Sequence, residues 1–228
     1  MKTNGGSDAA KLDAGESAAE AVADGMVVGL GTGSTAAHAI RAVGRAVDDG
    51  LDVRGVTTSF QSRELAREAG IPLVKLDEVE ALDLAIDGAD QFAGPTLVKG
   101  GGAAHAREKV VDAAADRLLV VADPSKAAER LDHPVPVEVL PVARTTAVAD
   151  VRELGGDPTL RDAERKDGPV VTDNGNLVLD CDFGRIDAPD ELAGALSAIP
   201  GVVEHGLFVE MADEIHVGTG DGVEIERF

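Results

Sequence analysis

The run Gly29-Leu30-Gly31-Thr32-Gly33-Ser34-Thr35 joins a strand-like stretch, Gly25 to Leu30, to an Ala-rich helical stretch, Ala36 to Val47. A strand that turns through glycines straight into a helix opens a βα unit, whose strand needs parallel neighbours and whose helix needs a sheet face. Glycines let the backbone turn tightly and bring its N–H groups close to a ligand. The helix N-terminus adds partial positive charge, so the turn fits a phosphate or another anion. A tight strand–helix connection with no ligand fits the same residues. As a dinucleotide fingerprint the turn is poor. Ser34 stands where the third glycine belongs, and the next strand, Asp52 to Thr58, leads into Ser59 with no acid for a ribose hydroxyl. The hydroxyls of Thr32, Ser34 and Thr35 fit a small terminal phosphate better.

The alternation continues. Ala9 to Ala23 reads as a helix, Met26 to Leu30 as a strand, Thr35 to Asp49 as a helix, Asp52 to Thr58 as a strand and Ser59 to Ala69 as a helix. Pro72 to Val74 and Leu82 to Ile86 read as strands, Ala103 to Ala115 as a helix and Arg117 to Ala122 as a strongly apolar strand. This order predicts an α/β fold: a Rossmann-like parallel sheet with helices on both faces and ligands at the carboxyl ends of its strands. After His133-Pro134-Val135-Pro136 the pattern changes. Strands over Val135 to Leu140, Thr159 to Ala163, Asn176 to Asp182 and Val202 to Phe208 alternate with helices over Thr145 to Leu154 and Glu191 to Ala198. Asp173-Asn174-Gly175 is a hairpin signal between Val170–Thr172 and Asn176–Asp182. The order resembles a ferredoxin-like unit. The expected division is residues 1–131 plus 210–228 as the α/β catalytic domain and 132–209 as a smaller inserted α+β domain, with Val209 to Val217 returning to the first sheet.

Composition excludes several functions. The 42 acidic residues face 21 basic ones, a formal charge of −21 spread along the chain, so a nucleic-acid partner is not expected. So few basic residues in so acidic a chain point to a halophile's cytosolic protein, its self-repulsion screened by salt. No Trp or Tyr and five Phe leave no base-stacking platform. No apolar run approaches the roughly 20 residues of a membrane span, and the N-terminus shows no secretory signal, so the expected location is the cytoplasm. The single cysteine, Cys181, excludes an internal disulfide, and its strand context makes it a packed thiol. His38, His105, His133, His205 and His216 are scattered without metal-ligand spacing, so no metal is expected.

Three further motifs carry chemistry. Asp87-Gly88-Ala89-Asp90 follows an apolar strand and places two carboxylates at its end, fit for acid–base work or simply a solvated turn. Lys99-Gly100-Gly101-Gly102 precedes a helix. Three glycines are costly in backbone entropy unless close approach is needed, and their N–H groups beside an ammonium form an oxyanion or hydroxyl cradle. Glu108, in the following helix, fits a proton-transfer base leaning over that cradle, or a solvent-facing helix residue. Asp123-Pro124-Ser125-Lys126 sets Lys126 at another strand end, and Lys11, Lys99 and Lys126 stand out in a chain this poor in lysine.

Taken in order, Gly31-Thr32-Gly33-Ser34-Thr35, Asp87-Gly88-Ala89-Asp90, Lys99-Gly100-Gly101-Gly102 with Arg107-Glu108-Lys109, and Ser125-Lys126 resemble the A-type ribose-5-phosphate isomerase family. The resemblance runs on through Pro136-Val137-Glu138-Val139, Val171-Thr172-Asp173-Asn174-Gly175-Asn176 and Gly206-Leu207-Phe208. With the acidic balance it points to a haloarchaeal member. It implies aldose–ketose isomerisation of ribose 5-phosphate and ribulose 5-phosphate, with Glu108 as base and Asp87, Asp90 and Lys99 as further catalytic groups. It implies a sugar-phosphate site made by Thr32, Gly33, Ser34, Thr35, Asp87, Gly88, Ala89, Asp90, Lys99, Gly100, Gly101, Gly102 and Lys126, with Lys11 beside it. It further implies a homodimer or homotetramer needing no metal or organic cofactor. A non-catalytic sugar-phosphate sensor is the alternative, though sensors of this kind typically carry a DNA-binding helix-turn-helix, for which the N-terminus is too short. Deaminase and CoA-transferase relatives share the Gly-rich turn but lack the Lys-Gly-Gly-Gly…Glu arrangement.

Overall fold

The computed structural model describes residues 6–164 and 167–228. In chain order the first elements are α1 (Asp8–Ala19), β1 (Val27–Leu30), α2 (Ser34–Asp48), β2 (Arg54–Thr57), α3 (Phe60–Glu68), β3 (Leu84–Gly88), β4 (Gln91–Ala93), β5 (Thr96–Val98), α4 (His105–Ala113) and β6 (Leu118–Ala122). Then come β7 (Val135–Val139), α5 (Arg144–Glu153), β8 (Asp157–Leu160), β9 (Leu177–Asp182), α6 (Pro189–Ser197), β10 (Val202–His205), β11 (Leu207–Phe208), β12 (Glu214–Gly218) and β13 (Val223–Arg227). Local chemistry explains several helix starts. The Ser7 hydroxyl accepts the Ala10 amide at the head of α1, and Ser59 and Ser62 cap α3 reciprocally. Helix α2 differs: its N-cap is Gly33 at φ +111°, so no side chain caps its first amides.

The chain divides into two compact units. The sheet unit holds residues 6–89, Arg107–Ala127 and Met211–Phe228. Its six strands run in the order β13-β12-β6-β3-β1-β2, parallel except for the β12–β13 hairpin. Register places Val28, Leu30, Leu84, Ile86 and Leu119 on one face. There Ala14 and Ala18 of α1 and Ala36 and Ala39 of α2 pack on Leu84, Ile86, Leu119 and Val121. Small residues bring these helices close: a Cβ on Gly15 would lie 2.7 Å from the Ala39 nitrogen. Val111 of α4 packs with Val27, Val56 and Leu82 in a separate cluster. The return to the first sheet takes the form of β12 beside β6, and β13, unforeseen, adds an antiparallel edge.

The inserted unit holds Asp90–Ala106 and Ala128–Glu210. Strands β7, β8, β9 and β10 with α5 and α6 follow a β-α-β-β-α-β order in an antiparallel sheet, β10-β7-β9-β8. Val135, Val137 and Val139 alternate inward against Leu179, Cys181, Ala147, Val151 and Leu196. A second sheet, β11-β5-β4, accounts for a difference from the expected division. Because β4 and β5 pair with each other and β5 with β11, residues 90–106 go with this unit rather than with 1–131. The strand expected over Val202 to Phe208 breaks at Gly206 and serves both sheets. The hairpin around Asp173-Asn174-Gly175 is reduced to a single bridge, Val171 to Leu177, because β7 and β8 occupy the edges of β9. Pro72 to Val74 likewise shrinks to one bridge, Gly55 to Leu73.

Candidate active site

In the sheet unit, β1 and β3 run side by side and deliver their carboxyl ends together. Gly31 follows β1, and its amide donates to the Ile86 carbonyl at 2.9 Å. Only glycine fits there, since a Cβ would lie 2.1 Å from Asp87 Oδ1. Asp87 is fully buried, and its Oδ1 accepts the Thr32 amide at 2.9 Å and the Gly88 amide at 2.7 Å. The Thr32 hydroxyl bonds to Thr58 Oγ1 at 2.8 Å and to Ser59 Oγ at 2.7 Å. Thr58 and Ser59, after β2, thus occupy the place where a dinucleotide site has its acid, and they brace the turn. The Thr32 side chain therefore faces that network, which leaves Gly33, Ser34 and Thr35, at the uncapped start of α2, as the turn's groups for an anion. Ser34 is exposed and Thr35 half-buried.

Glu108 lies in the first turn of α4 and is 4% exposed, so the solvent-facing alternative fails. Arg107, beside it, stacks its guanidinium 5.2 Å from the Phe60 ring centroid. Lys126 ends a short turn after β6, which Asp123 caps by accepting the Ser125 amide at 3.0 Å. Lys11 is half-buried on α1, close enough to His38 of α2 to lower its pKa, behind the larger contributions of burial and Arg41.

In the inserted unit, the Asp90 amide donates to the Val98 carbonyl at 2.8 Å, and its Oδ2 accepts the Gly101 amide at 2.6 Å. One donor of the expected glycine cradle is thereby already engaged. Lys99 is 2% exposed; its amide donates to the Gly206 carbonyl at 2.8 Å and its Nζ sits 5.2 Å from the centroid of the Phe208 ring. A buried ammonium against an aromatic face is attracted by the negative face of the ring. Gly100 has φ +108°, and its carbonyl accepts the Ala103 amide at 2.9 Å, with Ala103 itself left-handed at φ 59°. A Cβ on Gly101 would come within 2.5 Å of Asp90 Oδ1. Gly100 and Gly101 are thus explained by close approach to the His105 ring and to Asp90 respectively.

Sequence reasoning missed Arg161, whose Nη1 reaches the Gly100 carbonyl at 2.8 Å, and Phe208 beneath Lys99. The Gly206-Leu207-Phe208 motif was visible, but nothing in it pointed to a lysine far back in the chain. Cys181 is buried, and burial pushes its thiol up to about 12, which leaves it packed and protonated. Among the described residues no cluster of three or more His, Cys, Asp or Glu is placed to hold a metal ion, and no helix is long and apolar enough to cross a membrane.

The sequence model of the ribose 5-phosphate isomerase A (phosphoriboisomerase A) family matches residues 54–222. A ribose-5-phosphate isomerase A of Haloarcula marismortui is 75% identical over 221 residues, covering 97% of this chain and 96% of that protein. One of Halorubrum lacusprofundi is 67% identical over the full length of both. The solved ribose 5-phosphate isomerase A of Methanocaldococcus jannaschii superposes with a TM-score of 0.91 at 44% identity, over 96% of this chain and 98% of the other. A second solved D-ribose-5-phosphate isomerase, in complex with phospho-erythronic acid, gives 0.95 at 40% identity, over 98% of this chain and all of the other. The chain belongs to the ribose 5-phosphate isomerase A family.

Proposed function

We propose that the protein interconverts D-ribose 5-phosphate and D-ribulose 5-phosphate through a cis-enediolate, with Glu108 as the general base. Isomerisation moves one proton between C2 and C1 of the open-chain sugar. A single carboxylate on one face of the enediolate serves both carbons. The observation that supports this most is the burial of Glu108 in the first turn of α4, nine residues after Lys99 in the chain. A base shielded from water and carried on a helix is what proton transfer requires and what a binding-only sensor does not.

The negative charge that develops on the enediolate oxygen is met by Lys99 and the Gly102 amide, the Gly101 amide being engaged by Asp90. Asp87 and Asp90 hold sugar hydroxyls and carry the proton of ring opening. Gly33, Ser34 and Thr35 at the start of α2, with Lys126 and Lys11, take the phosphate, while Thr32, Gly88, Ala89 and Gly100 shape the walls. The solved relative's ligand supports the scheme chemically, because phospho-erythronic acid joins a planar carboxylate, an enediolate mimic, to a phosphate. The working assembly is a homodimer or homotetramer, active in the cytoplasm without metal or organic cofactor.

Glu108→Gln tests the assignment. It keeps the side chain's shape and removes the base, so kcat falls by at least about 100-fold while calorimetry still detects phospho-erythronic acid binding. A variant that turns over ribose 5-phosphate as fast as the parent removes Glu108 from the role.

A further inference from the structure

The guanidinium of Arg161 directs its nitrogens to the carboxylate of Asp180 and to the glycine run. Nε donates to Asp180 Oδ2 at 2.9 Å, and Nη2 donates to Asp180 Oδ1. Nη1 donates to the Gly100 carbonyl at 2.8 Å and reaches the Gly101 carbonyl at 3.3 Å. The Arg161 side chain is 11% exposed and that of Asp180 is 23% exposed. Asp180 sits in β9 and Arg161 follows β8, so paired strands hold the fork from behind. Both residues and the glycines belong to the inserted unit.

Peptide planarity turns this grip into an orientation. In a trans peptide the carbonyl and the N–H point to opposite sides. The peptide from Gly100 to Gly101 gives its oxygen to Arg161 and its N–H to Asp90 Oδ2, 2.6 Å away. The next peptide gives its Gly101 oxygen to Arg161, so the Gly102 N–H is turned away from the guanidinium. Glycines have the most backbone freedom of any residues, and a run of them holds a functional conformation only when something outside the run grips it. Arginine alone can bind a carboxylate with one edge and carbonyls with its remaining nitrogen; the lysine ammonium has no such planar fork.

We propose that Arg161, locked by Asp180, is a positioning residue of the isomerisation, setting the peptide planes of Gly100–Gly102 so that the Gly102 amide is presented to the enediolate oxygen. The inference rests on the assignment of the Lys99–Gly102 run to the substrate site.

The test uses the full chain in multimolar KCl and compares Arg161→Lys, Arg161→Ala, Asp180→Asn and, as a check on the run itself, Lys99→Ala. Arg161→Lys lowers kcat by about tenfold to a hundredfold with KM close to the parent value and a similar melting temperature. Arg161→Ala loses at least as much and regains part of its kcat in millimolar guanidinium, which fills the vacated fork. Asp180→Asn gives a smaller loss. If Arg161→Ala does not fold, the Arg161→Lys kcat and the Asp180→Asn kcat decide. Parent-like kcat in Arg161→Lys while Lys99→Ala is inactive overturns the positioning role alone. Parent-like kcat in Lys99→Ala overturns the assignment of the run, and this inference with it. Losses that follow only the unfolded fraction, without guanidinium rescue, assign Arg161 to stability.

Discussion

A single carboxylate oxygen, Asp87 Oδ1, receives the Thr32 and Gly88 amides and so ties the end of β3 to the turn after β1. Gly31 exists to allow it, because a Cβ there would also lie 2.6 Å from the Asp87 Cα, a backbone atom that cannot swing aside. Gly31→Ala should therefore cost about 1–3 kcal/mol of stability, read as a lower denaturant midpoint in molar KCl; an unchanged midpoint would contradict the close-approach account. At Asp180, burial pushes the carboxyl up, and the Arg161 hydrogen bond and charge more than offset it, so the folded pKa lies below the ordinary value. The sign follows from linkage: the contribution is complete above the unfolded carboxyl's pKa of about 3.9 and is lost as pH falls through the lower folded value. The melting-temperature gap between the parent and Arg161→Ala should hold at neutral pH and narrow in acid. A gap that widens in acid would show the pair working with the opposite sign. Cys181, pushed up to about 12, should resist iodoacetamide in the folded protein at pH 8 and react once unfolded; native-state labelling would contradict its burial.

Elements place these residues, and the candidate site is legible in the sequence to the extent that its contacts are local. The turn before α2, the carboxyl end of β3 and the glycines before α4 are each written in a few consecutive residues, so periodicity and glycine placement located them. Contacts between distant segments left no such trace. Arg161 follows β8 and reaches back to Gly100, and Gly206 accepts the Lys99 amide from over a hundred residues away. Strands β4 and β5 are only three residues each, too short for periodicity to show, and their pairing groups residues 90–106 with the inserted unit, a different division from the one the sequence suggests. The Thr32 hydroxyl shows the same limit: its residue type fits a phosphate, yet its bonds run to Thr58 and Ser59. Ser59 also caps α3, so Ser59→Ala removes the cap and a partner of Thr32 together. It should lower stability by about 1–2 kcal/mol, measured by thermal unfolding; no change would show that the turn stands without this brace.

At the scale of the whole molecule, the formal charge of −21 must be tolerated by the folded state. The exposed ion pairs, such as Arg45–Glu16 and Arg67–Glu64, contribute little each in water. Relief comes from salt, whose screening length falls to about 3 Å at 1 M, and the kinship with proteins of Haloarcula and Halorubrum agrees with that reading. The melting temperature should climb steadily from low to molar KCl, and a flat profile would sink the halophile account. The family relation and the buried Glu108 together make proton transfer the central claim. It is tested most directly by following deuterium incorporation at C2 of ribose 5-phosphate in heavy water with the parent and with Glu108→Gln. The account predicts ready exchange by the parent and a loss of at least about 100-fold in the variant; exchange by Glu108→Gln at the parent's rate would contradict it.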